Sequence, residues 1–108
     1  MISVSQHVVG GPVAERSTEH GWKPLPWILF RIKTHAQVWD EKGIMVVRPV
    51  FERMVLQGDR VCEALRDRLI EGVEVIVIGQ GVNANMVCAD GDVRGFVVLV
   101  NSIQIIQP

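Results

Sequence analysis

Between Trp27 and Trp39 the chain alternates with a period of two. The odd positions are Trp27, Leu29, Arg31, Lys33, His35, Gln37 and Trp39, and the even ones are Ile28, Phe30, Ile32, Thr34, Ala36 and Val38. In an extended strand successive side chains point to opposite faces, so the even set faces a core and the odd set an outer surface. That surface places two cations between two indoles. Phe51 and Arg53 share one face of the next extended segment. Flat rings stack on bases without regard to sequence, and Lys or Arg neutralises phosphates, so the combination suits a single nucleic-acid strand. Trp39 and Phe51 are the candidate stacking residues, Arg31, Lys33, Arg48 and Arg53 the candidate phosphate contacts, and Arg16 and Arg94 flank the path. Each has a plainer reading. Trp22 and Trp27, with Leu29, suit a core or a subunit contact, and Arg31 and Lys33 also fit solvated strand charges.

Other chemistries find little support. His7, His20 and His35 have no ligand partners at metal spacing, and Cys62 and Cys88 stand apart, so neither a metal site nor a cofactor is expected. The two cysteines read as reduced thiols. Gly79-Gln80-Gly81 follows a strand but leads into a loop, without the helix start that a dinucleotide site requires. There is no Gly-x-Ser-x-Gly nucleophile elbow. Asp90-Gly91-Asp92 reads as turn chemistry rather than as a catalytic carboxylate pair. No enzymatic activity is expected.

The elements that must hold these residues follow from the pattern. Ser3 to Val9 reads as a first strand stopped by Gly10-Gly11-Pro12, with Val13 to Pro26 a long loop or loose hairpin. Trp27–Trp39 is a second strand, Asp40–Gly43 a turn, and Ile44–Leu56 a third strand, in which Pro49 marks an edge or a bulge. Asp59 is placed to cap a short helix reaching about Ile70, with Val61, Leu65 and Leu69 on one face and Gly72 at its end. Val73–Gln80 reads as a buried strand, Gly81–Asp92 as a long hairpin loop and Val93–Ile106 as the last strand.

With 108 residues, 48% of them apolar and 21% charged, the chain suits one globular domain, residues 1–108. The net charge of −1 argues mildly against a nucleic-acid role, but the location of the positive charge matters more than the sum. Neither a secretory signal nor an apolar stretch of bilayer length is recognisable, so a cytoplasmic protein without membrane contact is expected. One helix cannot cover both faces of five strands, and closing the sheet removes its edges. The expected fold is therefore all-β: a five-stranded barrel with one short α-helix between strands 3 and 4 plugging an open end, the oligonucleotide-binding (OB) arrangement.

Several segments also resemble a known family. Phe51-Glu52-Arg53-Met54-Val55-Leu56-Gln57-Gly58, the stretch Arg60 to Gly79, Val9-Gly10, Phe30-Arg31-Ile32, and Asp90-Gly91 before a β-run ending Ile-Gln-Ile-Ile are similar to bacterial single-stranded DNA-binding proteins. The primosomal replication protein N branch of that superfamily is an equally good match in length. The resemblance implies single-stranded DNA binding by a homodimer or homotetramer, without cofactor, alongside replication or recombination proteins. It carries base stacking to Trp39 and Phe51 and places Arg53 near the same surface. Gln57 stands where the family commonly has an aromatic residue, and Gly81–Asp92 contains no Lys, Arg or aromatic ring. Those features, with the negative net charge, favour the alternative of an OB-type protein-interaction module that binds no nucleic acid. An RNA-binding OB domain is a third reading, and nothing in the sequence separates it from the first.

Overall fold

The structure, a computed structural model, describes residues 6–86 and 93–106. Five strands and one helix follow in the order β1 (Gln6–Arg16), β2 (Trp27–Trp39), β3 (Met45–Gln57), α1 (Asp59–Leu65), β4 (Glu74–Met86) and β5 (Val93–Ile106). The strands close into a barrel in the order β1-β2-β3-β5-β4. All neighbours are antiparallel except β3 and β5, which meet in a short parallel contact at Met54–Val98 and Val55–Leu99. This is the OB architecture, with its helix between β3 and β4.

Gly10-Gly11-Pro12 does not stop β1. The strand runs through it and changes partner there: Gln6–Pro12 pair with β4, and Val13–Arg16 pair with β2 across a bulge. The glycine allows the close approach this needs, because a Cβ on Gly11 would collide with the carbonyl oxygen of Lys33. Ser3 to Ser5, assigned to β1 from the sequence, lie outside the described residues.

The helix is also shorter than its periodicity suggests. Gly58 occupies the N-cap without a side-chain hydrogen bond, and Asp59 sits inside the first turn. After Leu65 the chain tightens into turns, which carry Leu69 into the barrel. The buried positions are Cys62 and Leu69, whereas Val61 is exposed. At the barrel's opposite connection, Asp40 shapes the β2–β3 turn: its Oδ1 accepts from the amides of Lys42 at 2.9 Å and Ile44 at 2.8 Å.

Two apolar cores follow. The first fills the barrel, with Ile28, Phe30, Ile32, Met54, Leu56, Val75, Val77 and Val98 buried beneath Cys62 and Leu69. The second lies on the outer face of β2 and β3. There Trp27, Leu29 and Val55 are covered by Val82, Ala84, Val93 and Val97 from the far part of the β4–β5 hairpin. Trp27, expected on the outer face by its odd number, is on that face but buried. Gly81 to Met86, expected as loop, continue β4 as the ladder opposite Val93–Val98. Residues 87–92, which hold Cys88 and Asp90-Gly91-Asp92, lie outside the described residues.

Candidate nucleic-acid interface

Beyond the barrel, β2 and β3 continue together as a two-stranded arm. The register is unbroken from Trp27–Gln57 to Trp39–Met45, with Lys33 opposite Phe51 and Arg31 opposite Arg53. β3 meets β5 only at Met54 and Val55, so its other edge is open beside Pro49, where the missing amide costs no ladder bond. Directly paired residues share a face. One face of the arm therefore carries Arg31, Lys33, Trp39, Phe51 and Arg53, with Met45 and Val47 near the tip. Trp39 is 69% exposed and Phe51 45%. The two rings are separated by about six residue steps, or ~20 Å.

The three cations differ in their freedom. Arg31 donates from Nη2 to Glu15 at 2.7 Å, and its guanidinium carbon lies 5.1 Å from the centre of the Phe51 ring, a cation–π contact. Arg53 donates from Nη2 to the carbonyls of Arg94 and Phe96, both at 2.9 Å. It thereby clamps β3 to the β4–β5 hairpin across Gly95, where the φ of 101° would strain any side chain and a Cβ would lie a tight 3.1 Å from that nitrogen. Lys33 is exposed and has no hydrogen bond or ion pair among the described residues. It is the cation most available to a phosphate.

Three of the proposed contacts lie elsewhere. Arg48 pairs with Ala36 and so occupies the opposite face of the arm from Trp39 and Phe51. Arg94 lies on the side of the β4–β5 hairpin away from Val93 and Val97, and thus away from the surface of Arg53. Arg16 stands opposite Phe30, on the other side of β1 from Glu15, with Nη1 buried and without a hydrogen-bond partner. The sequence reading placed these three along one path. The pleat separates them, because Arg16, Arg48 and Arg94 each fall one residue out of step with the face that holds the rings.

One aromatic residue was missed. Phe96 is 54% exposed, stacks edge-on against His7 with 5.4 Å between ring centres, and shares its side of the hairpin with Arg94. Within Val93–Val100 it reads as one more apolar residue of a buried run, so only its exposure reveals it. Trp22, read as core or interface, is 89% exposed in the segment between β1 and β2.

Among the described residues no group of His, Cys, Asp and Glu could hold a metal ion. Cys62 is buried and free, and burial, followed by the charge of Glu19, pushes its thiol up from its ordinary value. Among the described residues no helix is long and apolar enough to cross a membrane.

No protein-family model matches the chain, and no curated protein does. Solved structures do. The small single-stranded DNA-binding protein of Streptomyces coelicolor superposes with a TM-score of 0.66 at 16% identity, covering 96% of this chain and 95% of that one. PriB from Ralstonia solanacearum gives 0.67 at 10% identity, covering 95% and 98%. A deletion variant of the single-stranded DNA-binding protein of Thermus aquaticus gives 0.71 at 20% identity, covering 94% of this chain but 50% of its own. The fold is theirs. At such identities it is the fold that is shared, and the surface chemistry must be judged from this chain's own residues.

Proposed function

We propose that this protein binds single-stranded DNA with little sequence preference along the outer face of the β2–β3 arm, acting as a cytoplasmic homodimer or homotetramer in replication, recombination or repair. The carrying observation is that Trp39, Phe51, Lys33, Arg31 and Arg53 share one face, with both rings open to solvent. Trp39 and Phe51 stack on separate bases, Lys33 meets a phosphate directly, and Arg31 and Arg53 add positive field from fixed positions. The role is binding, without catalysis. The solved structures of single-stranded DNA-binding proteins with this fold support the reading.

The chain has three Trp and no Tyr, so its fluorescence reports indoles alone. Titration with oligo-dT at low salt is expected to quench it saturably. Trp39→Phe removes most of the quench while a mobility assay still detects binding. Trp22→Phe leaves the quench intact, because Trp22 lies before the start of β2, and that start is about 40 Å along the strand from Trp39. With three cations engaged, log K should fall against log salt with a slope of about −2 for a single strand. A slope of about −0.7 would assign the phosphate contact to Lys33 alone. Absence of binding at low salt by both methods overturns the proposal.

The Glu15–Arg31 pair gives a second expectation. Glu15 removes a guanidinium from the phosphates and adds a negative charge beside them. Glu15→Gln should therefore tighten oligo-dT binding about two- to fivefold at low salt, with the gain shrinking as salt rises. Fluorescence anisotropy with a labelled oligonucleotide reads this directly.

A protein-interaction module is the second reading, and one observation favours it. Arg31 and Arg53 are already held by partners within the chain, while Met45 and Val47 expose apolar surface beside Trp39. On that reading the titration with oligo-dT gives no response.

A further inference from the structure

The other face of the β2–β3 arm carries neither of the exposed rings, yet it is not built as a plain solvated surface. Ala36, Val38, Val46 and Val50 form an apolar stripe along it, and neither core includes them. A two-stranded ribbon is at best marginally stable alone in water and needs something packed on an apolar face. On the same face, four residues apart on β3, stand Arg48 and Glu52, one on either side of Val50. Neither has an ion pair or hydrogen bond among the described residues, and Glu52 is half-buried opposite the buried Ile32. A cation and a carboxylate that find no partner within the chain, set on one face, are available to pair with the opposite charges of a second copy.

We propose that two copies of this chain pack these arm faces together about a two-fold axis at Val50. A two-fold contact brings residue i of one copy to residue j of the other and the reverse. With the β3 strands antiparallel across the axis, Arg48 meets Glu52 of the second copy, and Glu52 meets its Arg48. The same pair is thereby made twice. The valines between them fill the centre, and ribbon faces stacked about 10 Å apart leave room for such side chains. DNA fits this face poorly, because Glu52 repels phosphate and the face carries no ring. Packing here leaves Trp39, Phe51 and Lys33 of both copies facing outward, so the association does not depend on DNA binding, nor DNA binding on it.

The face is about 20 Å by 10 Å, small for a stable dimer, so association should be weak and concentration-dependent. Sedimentation velocity at low salt over about 1–300 μM chain tests it. Arg48→Glu alone and Glu52→Arg alone should each weaken one association step, monomer to dimer or dimer to tetramer, by about tenfold, since attraction becomes repulsion at two symmetric sites. The double variant Arg48→Glu with Glu52→Arg should return it to within about threefold of the original. Should Glu52→Arg misfold beside Ile32, as judged by circular dichroism, Glu52→Gln replaces it and should weaken the step about threefold. The proposal is overturned by a chain that stays monomeric throughout, by association indifferent to Arg48→Glu, or by a double variant no better than either single one. It is equally overturned if Arg48→Glu leaves association intact and weakens oligo-dT binding, which would make Arg48 a phosphate contact.

Discussion

Replacing both Trp39 and Phe51 by alanine is expected to weaken oligo-dT binding by about a hundredfold. Base stacking on an aromatic side chain contributes about 1–3 kcal/mol per base, so two rings together account for roughly 2–6 kcal/mol. At 1.4 kcal/mol per factor of ten, that range runs from about thirtyfold to about twenty-thousandfold. The lower half applies here. Arg31 already lies 5.1 Å from the Phe51 ring centre, so part of that ring is covered before DNA arrives. Among the described residues no cation lies over Trp39, which is also the more exposed of the two, so it should account for more of the loss. Neither residue belongs to a core, and both substitutions leave the barrel untouched. Circular dichroism and thermal melting should therefore match the parent chain, which separates loss of binding from loss of fold. Affinity within threefold of the parent, measured by anisotropy at low salt, would move the binding surface off this face.

Where local pattern determines structure, the sequence was legible. The alternation from Trp27 to Trp39 yields the strand, its core side and its outer side, and Asp40 to Gly43 yields the turn that follows. The helix was found, but its buried face was misassigned by one residue, because Val61 and Cys62 both fit a helical spacing with Leu69 and only packing against the barrel selects Cys62. The misread segments were those whose reasons lie far away in the chain. Gly10-Gly11-Pro12 looks like a breaker, yet it is where β1 leaves β4 for β2, and the need for glycine comes from the backbone of Lys33. Gly81 to Met86, rich in Asn and Gly, reads as loop until Val93–Val98 pair with it.

The candidate site divides in the same way. Arg31, Lys33 and Trp39 share a face of β2, and Phe51 and Arg53 a face of β3, by period two alone, and the odd-with-odd pairing of the two strands joins them into one surface. Arg48 carries an even number on the same strand, and its separation from Phe51 was therefore readable in advance. What could not be read was how far each cation is already occupied. The carbonyl partners of Arg53 lie 41 and 43 residues away and are main-chain atoms, which leave no mark in side-chain chemistry. Without them Arg53 looks like a free phosphate ligand; with them it is a clamp between β3 and the β4–β5 hairpin.

The barrel should be separable from this surface in an experiment on Phe30. Its ring is the largest wholly buried side chain among the described residues, lying between β1 and β3 opposite Arg16 and Met54. Phe30→Ala leaves a cavity the surrounding strands can only partly close, because β2 is held there between β1 and β3, and such a change costs about 3–5 kcal/mol. For a domain of this length the melting temperature should fall by about 15 °C or more. Phe30→Leu retains most of the volume and should lose less than half as much stability. Parent and variants must be melted at one chain concentration, since association raises the apparent stability. At a temperature where Phe30→Ala remains folded, its oligo-dT affinity should stay within about threefold of the parent, because Trp39, Lys33 and Phe51 are positioned by the β2–β3 register rather than by the barrel interior. A loss of affinity in the folded Phe30→Ala variant comparable to that of the Trp39 and Phe51 substitutions would show instead that the arm takes its shape from the core beneath it.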